Sequence, residues 1–319
     1  MLICFVNTNY FKYSLIYKVA VSPNFLLFTF YFLLIKMKGL LNINKPTGIT
    51  SSDVVSRVRK ILGTKAVGHM GTLDPQGTGV LLIGVGKGCR LFDFFLKKDK
   101  EYIAEFEFGY TTDTLDKDGV VTDKTAVLPD KTSILGALQA LTGNVAQIPP
   151  LYSAKSIDGV RAYKLAREGK QVELKPANVR IDKIELLEQT GENKYKFLIA
   201  CSSGTYIRSI CRDLAISLNS LACMTSIHRA KAGEYTDSTA VTLEELQTQK
   251  QSAIINLETA LKNVPRVDFA ETDYQRILNG IKIDCNATHD HFTIYCKNEL
   301  FGIGKSKEGK LKITTFLKD

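Results

Sequence analysis

The chain has 319 residues, of which 45% are hydrophobic and 24% are charged. This composition excludes an intrinsically disordered protein and predicts one large folded domain, alone or with a smaller one. The 42 Lys and Arg residues against 33 Asp and Glu residues give a formal net charge of +9. An excess of positive charge favours a polyanionic partner such as RNA or DNA, although a basic surface also serves solubility.

The first 36 residues are rich in Phe, Tyr, Leu and Ile, and VAVSPNFLLFTFYFLLI runs without a charge. A signal anchor is one interpretation, but the run contains Ser-Pro-Asn and is marginal against the roughly 20 residues that span a bilayer. Met37 is followed at once by the well-patterned GLLNINKPTG. We therefore expect translation from Met37, with residues 1–36 as an upstream extension, and a cytoplasmic protein without a stable membrane partner.

The seven cysteines are an odd number without a Cys-x-x-Cys motif, which is typical of reduced thiols in a cytosolic protein. One group invites a test for metal: Cys285, His289, His291 and Cys296. The segment HFTIYC alternates like a strand, and neither spacing matches a zinc finger, so we predict no metal site there.

From Met37 onward the first predicted elements are a helix and two strands. Thr50 or Ser51 is expected to cap a helix with an apolar valine, isoleucine and leucine stripe, which Gly63 ends. VLLIGVG is typical of a buried strand. EYIAEFEF at 101–108 alternates, which places Tyr102 on the same face as Ala104, Phe106 and Phe108.

Farther along, SILGALQALTG at 133–143 predicts an amphipathic helix ended by Gly143, and KYKFLIAC at 194–201 predicts a strand. SSGTYIRSICRDLA then predicts a glycine turn that feeds a helix, with Arg208 in its first turn. A cation there opposes the helix dipole, which suggests an acid or phosphate nearby. After about residue 264 we expect a short helix and strands near 281, 292, 300 and 311.

The segment GHMGTLDPQGTGVLLIGVG at 68–86 carries a histidine, an aspartate and six glycines directly before a strand. It lacks the phosphate-loop Ser or Thr and any properly spaced G-x-G-x-x-G, so ATP and NAD are unsupported. The remaining interpretation joins Asp74 as nucleophile or base with Tyr102 and a positive partner, Arg208. An Asp-Pro in a turn is, however, more often simply a turn residue.

These segments together resemble the TruB family of tRNA pseudouridine-55 synthases. Ordered motifs spread over nearly two hundred residues carry the resemblance, which makes a chance match negligible. They are GLLNINKPTGITSSDVV (39–55), GHMGTLDPQGTGVL (68–81), KEYIAEFEFGYTTDTLDKDG (100–119), IPPLYSAKSIDGVRAYKLAREG (148–169), CSSGTYIRSICRDLA (201–215) and SIHRAKAGEY (226–235).

The resemblance implies a fold and a domain organisation. The fold is α+β, with a pseudouridine-synthase-like mixed, largely antiparallel sheet and flanking helices. Residues 37–263 form the catalytic domain, in which 149–175 is a thumb-like RNA-binding insertion. Residues 264–319 form a short β-rich PUA-like unit that binds RNA.

The resemblance also implies the chemistry, which is isomerisation of a uridine in the T arm of tRNA to pseudouridine by a monomer without cofactor or metal. Asp74 falls on the family's nucleophile, Tyr102 on its active-site tyrosine, and Arg208 on the arginine partner of the aspartate. Ile227 matches the apolar contact to the base. His69 matches the histidine that fills the space of the flipped base, although such a histidine is also a common structural hydrogen-bonding residue.

The remaining RNA contacts are interpreted from motifs alone. Lys45 belongs to a Lys-Pro motif at the rim of the family's active site, and we interpret it as a phosphate contact. Lys155 and Arg161 lie in the thumb-like segment, where basic residues alternate with tyrosines, as in surfaces that bind RNA.

Two other functions stay open at this level. An RNA-binding folding factor could act on the tRNA elbow with incidental catalysis. A guide-RNA-dependent pseudouridine synthase of the related Cbf-type group is the third interpretation, although such a protein is expected to need partners and a fuller PUA domain.

Overall fold

The computed structural model describes residues 37–318 apart from 154, 158, 163, 164, 166, 167 and 169–173. For residues 156, 157 and 161 it describes the backbone alone. The predicted upstream extension, residues 1–36, lies outside the described residues.

The helices of this part of the chain are α1 (Ser51–Leu62), α2 (Phe92–Leu96), α3 (Lys131–Leu138), α4 (Ile207–Ser217), α5 (Leu243–Gln249), α6 (Leu257–Ala260) and α7 (Tyr274–Leu278). The strands are β1 (Gly39–Lys45), β2 (Val67–His69), β3 (Thr78–Val85), β4 (Lys100–Phe108), β5 (Tyr110–Thr112), β6 (Val121–Lys124), β7 (Gly143–Gln147), β8 (Ser156–Ile157), β9 (Val160–Arg161), β10 (Ala177–Gly191), β11 (Lys194–Cys201), β12 (Ala222–Ala232), β13 (Tyr235–Thr236), β14 (Ile255–Asn256), β15 (Arg266–Phe269), β16 (Phe292–Cys296), β17 (Glu299–Lys307) and β18 (Lys310–Phe316).

A large mixed sheet organises the fold in the order β14-β1-β3-β12-β4-β11-β10-β7, with β2 beside β3 and β13 beside β12. Its pairs are antiparallel except for β12 and β3, which run parallel and pair Arg229 with Gly79. Strand β12 therefore lies between β3, which follows the glycine loop, and β4, which carries Tyr102. The sheet with its helices matches the predicted α+β class.

Helix α1 begins and ends where the sequence predicts. The Thr50 side chain accepts a hydrogen bond from the Asp53 amide, and the Asp53 carboxylate accepts one from the Thr50 amide, so a capping box closes the first turn. Gly63 follows the last turn in the left-handed conformation with a φ of 65°. The apolar face buries Val54, Val58 and Leu62 against the rest of the chain.

The alternating pattern of β4 places one face in the main core, as predicted. Tyr102, Ala104, Phe106 and Phe108 are all buried. The Phe106 ring packs against the Phe197 ring of β11 with 4.8 Å between centroids. Helices α3 and α4 supply the apolar side chains that cover this face. The core therefore fixes the direction in which β4 presents Tyr102.

Two predicted elements differ from the structure. Helix α3 begins at Lys131, because the Asp130 side chain accepts a hydrogen bond from the Ser133 amide, and it ends at Leu138 well before Gly143. Its continuation tightens into a 3₁₀ turn, and Gly143 begins β7 instead. The prediction of a strand near 281 is wrong. The structure has only an isolated β-bridge there, between Asp284 and Lys310. The strand beside β16 in the C-terminal sheet is β15 instead.

The C-terminal residues form a second sheet in the order β15-β16-β17-β18. Its own core includes Ile277, Phe292 and Phe301, but Ile303 and Leu317 also belong to a cluster with side chains around α2. Lys38–Asp319 accordingly form one compact unit. The predicted division after residue 263 stays a prediction.

Among the described residues, no helix combines the length and apolar character of a membrane crossing.

We expect Phe106→Ala to lower the free energy of unfolding by about 3–5 kcal/mol, because the ring is fully buried and its removal leaves a cavity. Val120→Ala is the control, since Val120 is 73% exposed and its truncation should change stability by less than about 0.5 kcal/mol. Urea denaturation of both variants measures the difference, and equal losses would contradict this account of the core.

Candidate active site

The loop between β2 and β3 carries Asp74, and neighbouring side chains hold it on both sides. Ahead of Asp74, the Ser51 hydroxyl accepts a hydrogen bond from the Leu73 amide at 2.9 Å and donates one to the Leu73 carbonyl at 3.0 Å. Because Ser51 lies in the first turn of α1, the helix fixes the residue directly before the carboxylate. The glycines let the loop turn tightly, and Gly71 has a φ of 111°.

Lys45 holds the other side of the loop. Its side chain is fully buried, and Nζ donates to the carbonyl oxygens of Pro46, Pro75 and Gly77 at 3.0, 2.9 and 2.6 Å. Burial lowers the pKa of Lys45 to about 8, partly opposed by the charge of Asp74. All three ammonium protons are used by backbone oxygens, so this geometry favours a loop-holding role over the predicted phosphate contact.

Arg208 binds two carboxylates at this site. Its Nη2 lies 3.1 Å from Asp74 Oδ2, and its Nη1 lies 3.3 Å from Asp116 Oδ2. The same guanidinium donates to the carbonyls of Thr114 and Tyr152 at 2.9 and 3.1 Å. The Arg208 side chain is only 8% exposed, whereas the Asp74 side chain keeps 37% of its surface open. The aspartate is thus oriented by the arginine and open to a ligand.

The electrostatics of Asp74 reflect competing influences. Burial raises the pKa of its carboxyl, the Arg208 guanidinium lowers it, and the charge of Asp116 raises it again. The net direction is upward. A carboxylate with a raised pKa is more basic and more nucleophilic than an ordinary aspartate while the arginine still favours its ionised form.

Tyr102 and Ile227 lie on adjacent strands beside this pair. Both are nearly buried, with 9% and 8% of their surfaces exposed, and both belong to the core cluster that contains Leu73. Burial raises the pKa of the Tyr102 hydroxyl, while the charge of Arg229 lowers it. The structure therefore brings Asp74, Tyr102, Arg208 and Ile227 to one place, as the sequence predicts.

His69 lies at the end of β2 and enters the same loop. Burial lowers the pKa of its ring, which favours the neutral form. The Nδ1 atom is buried and has no hydrogen-bond partner among the described residues. A neutral ring with an unused nitrogen can bind a polar ligand.

Lys155 and Arg161 are the two basic residues predicted in the thumb-like segment, and only the Lys155 side chain is described. Lys155 Nζ donates to the Lys175 carbonyl at 3.0 Å, which ties the beginning of the segment to its end. The Arg161 side chain lies outside the described residues. Among the described residues, Lys155 forms no hydrogen bond or ion pair with Asp74 or Arg208.

Known proteins resemble this chain over most of its length. The family model described as "TruB family pseudouridylate synthase (N terminal domain)" matches residues 59–207. The tRNA pseudouridine synthase B of Clostridium tetani is 37% identical over 282 residues, which cover 86% of this chain and 97% of that protein. The chain belongs to the TruB family. The family predicted from the motifs is thereby confirmed.

Other relatives and structures agree with this assignment. The tRNA pseudouridine synthase B of Clostridium kluyveri is 36% identical and covers 87% of this chain and 98% of its own. A solved H/ACA RNP bound to a substrate RNA contains a chain with a TM-score of 0.68 at 21% identity, covering 91% of this chain and 87% of that one. A chain of a Cbf5-Nop10-Gar1 complex scores 0.67 at 24% identity, with 89% and 84% covered. These structures share the fold, which confirms the predicted fold class.

The sequence analysis did not predict three residues of this TruB-family site as site residues. They are Ser51, Asp116 and Arg229, which contact Leu73, Arg208 and Thr72, respectively. Each lies inside a motif that carries the family resemblance, and that is the only signal that could have found them. From the sequence alone, Asp116 resembles an ordinary turn residue, and Arg229 is one of several basic residues in its segment.

Zinc chemistry finds no support in the described part of the chain. There, no group of three or more His, Cys, Asp or Glu side chains is close enough to hold a metal ion. Cys285 and Cys296 are buried free thiols in the C-terminal sheet region.

We expect Lys45→Met to change how stability depends on pH. The pKa of Lys45 is about 8 in the folded protein, and an unfolded lysine has a pKa near ~10.4. Between these values the unfolded chain binds more protons, so the free energy of unfolding rises with pH. Lys100, whose pKa burial also lowers to about 8, adds a rise of the same sign.

The Lys45→Met protein should therefore show a shallower rise than wild type between about pH 7.5 and about pH 9.5. Urea denaturation at intervals across this range measures it. The exposed Lys60 on α1, changed to Met, is the control for loss of a lysine charge. Parallel curves for wild type and Lys45→Met would contradict the burial of the ammonium group.

Proposed function

We propose that this protein isomerises uridine to pseudouridine at position 55 in the T arm of tRNA. The observation that carries the proposal is the ion pair between Asp74 and Arg208, with the aspartate on a loop held on both sides and Tyr102 beside it. Relatives of similar length that are 37% and 36% identical bear the name tRNA pseudouridine synthase B. Family, fold and site geometry support the same reaction.

The reaction moves the uracil ring without changing its atoms. The glycosidic bond between N1 and C1′ breaks, the ring turns, and C5 bonds to C1′. The hydrogen on C5 leaves as a proton, and N1 gains one. An ionised Asp74 is the nucleophile, and the guanidinium of Arg208 keeps its oxygens aimed at the substrate. This sequence requires no oxidant, reductant or cofactor.

The target base must leave the stacked T loop before Asp74 can reach it. Flipping costs a few kcal/mol in lost stacking, which binding to the pocket must offset. His69, with its buried and unused Nδ1, occupies the RNA side of the catalytic loop and fills the vacated space. Tyr102 stacks on the flipped uracil, and Ile227 packs against it as the apolar wall.

Two basic surfaces bind the surrounding RNA. The first is the thumb-like segment with Lys155 and Arg161. The second is a groove of about 400 Å³ in the C-terminal sheet, whose lining includes Lys282, Lys307, Lys310 and Lys312. Lysines arranged in a groove neutralise successive phosphates, which gives strong, salt-dependent binding with little base preference. The monomeric state and the cytoplasmic location stay predictions.

We expect Asp74→Asn to abolish isomerisation while RNA binding stays within a few fold of wild type. Asparagine keeps the shape of the side chain but removes the carboxylate nucleophile, and we expect a rate loss of at least ~10⁴-fold. The assay is release of the C5 hydrogen from a labelled T-arm hairpin in the absence of any guide RNA. Asp118→Asn is the matched control, because Asp118 is an exposed acid outside the site.

Each outcome of this assay has a distinct meaning. Undiminished hydrogen release by Asp74→Asn protein, shown free of contaminating enzyme, would refute the assignment of the nucleophile. Tight hairpin binding without release by wild-type protein would favour an RNA-folding factor. Release that requires an added guide RNA would favour a guided synthase.

We also expect the acid side of the pH–rate profile to report Asp74. Because burial and Asp116 raise the pKa of Asp74, the single-turnover rate should fall at a higher pH than an ordinary aspartate would cause. Asp116→Asn removes the nearby negative charge, so the acid limb should move to lower pH. The rate at saturating hairpin is measured from mildly acidic to neutral pH.

Asp118→Asn serves again as the control, since it removes a neighbouring charge of the same sign that does not contact Arg208. Coincident acid limbs for wild type and Asp116→Asn would show that Asp116 does not influence the reacting carboxylate.

A further inference from the structure

Gln76 lies at the tip of the turn that carries Asp74, and the proposed reaction has not used it. The Asp74 carbonyl accepts a hydrogen bond from the Gly77 amide at 2.9 Å, which closes a β-turn. Pro75 takes the second position of this turn and Gln76 the third. A β-turn keeps the Cα atoms of its first and fourth residues within about 7 Å of each other. Gln76 is therefore close to the nucleophile, and it is exposed.

The loop that follows β1 fixes the tip of this turn. The Thr47 hydroxyl donates a hydrogen bond to Gln76 Oε1 at 2.8 Å. The Gly48 amide donates to the Pro75 carbonyl at 2.9 Å, so side-chain and backbone bonds join the two loops at the same point. Lys45, at the end of β1, donates to the carbonyls on either side of Gln76. A side chain fixed in this way loses less conformational freedom when it binds a ligand.

The bond from Thr47 decides which atoms Gln76 offers to a ligand. Because Oε1 accepts from the Thr47 hydroxyl, the NH₂ group at the other end of the amide offers two donors. Among the described residues, no atom accepts a hydrogen bond from this NH₂ group. Exposed donors held in place select a ligand that presents acceptors, and phosphate oxygens are the most common acceptors in complexes with nucleic acids.

The route of the flipped nucleotide brings such acceptors to Gln76. The base of the target uridine enters the cleft to reach Asp74, and its sugar follows to the rim. The two phosphates that flank this sugar then lie on the exposed side of the loop, where Gln76 projects. Lys45 does not serve them, because its ammonium protons are used by three backbone carbonyls.

We propose that Gln76, oriented by Thr47, binds a phosphate next to the target uridine and so holds the flipped nucleotide at the rim of the site. The proposal rests on the proposed isomerisation. It gives the rim a neutral phosphate contact in place of the one predicted for Lys45. A neutral donor also adds no further cation beside Asp74, whose pKa is already lowered by the charges of Arg208 and Lys45 against the larger effect of burial.

A change of Gln76 to a side chain without donors tests the contact. Gln76→Met keeps the length of the side chain and removes the amide. We expect this variant to bind the T-arm hairpin about 10-fold more weakly, as for a lost hydrogen bond to a charged group. The single-turnover rate at saturating hairpin should stay within about twofold of wild type, because the contact serves binding alone. Fluorescence anisotropy at one fixed salt concentration measures the binding.

Modified hairpins locate the acceptor. A methylphosphonate, which carries no charge, replaces the phosphate on the 5′ side of the target uridine in one hairpin and on the 3′ side in another. With one of these two hairpins, the difference in binding between wild type and Gln76→Met should disappear, since the partner of the amide is then missing in both cases.

Two further variants separate orientation from general effects. Thr47→Val keeps the shape of the threonine but loses the hydroxyl, so it should weaken binding in wild type and have no further effect in the Gln76→Met protein. Gln247→Met is the matched control, because Gln247 is an exposed glutamine on α5, and its change should leave hairpin binding as in wild type.

The outcomes that overturn the proposal are specific. Unchanged hairpin binding by Gln76→Met would overturn it. A weakened binding that persists to the same extent with both methylphosphonate hairpins would also overturn it, because the lost contact would then lie elsewhere on the RNA. A wild-type protein that binds the hairpin and releases no C5 hydrogen would instead refute the proposed function, so the two failures are distinguishable.

Discussion

The ion pair between Asp74 and Arg208 is the interaction on which the rest of the site depends. The two residues are 134 positions apart in the chain, and their side chains meet only because the glycine loop and the start of α4 face the same cleft. The carboxylate must be dry enough to react with a base and still ionised. Burial opposes ionisation, and the guanidinium counters part of this effect at a distance of about 3 Å, where a charge-assisted hydrogen bond is strong.

A reactive loop is useful only if it is held still, and this one is held by side chains from three separate elements. Ser51 at the start of α1, Lys45 at the end of β1 and Arg229 on β12 all bind backbone atoms of the loop. Their partners flank Asp74 without touching its carboxylate. The loop therefore keeps its shape before substrate arrives, which reduces the reorganisation that the reaction would otherwise require.

The charge distribution within the site suits an anionic intermediate. Arg208 and Arg229 are both nearly buried; Arg208 pairs with Asp74, and Arg229 lies opposite Tyr102 in the pairing of β12 with β4. Asp116 pairs with Arg208 and offsets part of this positive charge. A detached uracil ring carries negative charge, so fixed guanidinium groups near it would stabilise it.

The sequence by itself determined features that depend on neighbours in the chain. Capping at Thr50, the left-handed turn at Gly63 and the buried face of β4 follow from local hydrogen bonding and alternation, and the motif around Asp74 identified the family. Only the tertiary structure decided what Lys45 and Arg229 contact, because most of their partners are backbone carbonyls of the loop before β3 and of β3 itself, which are distant from them in the chain.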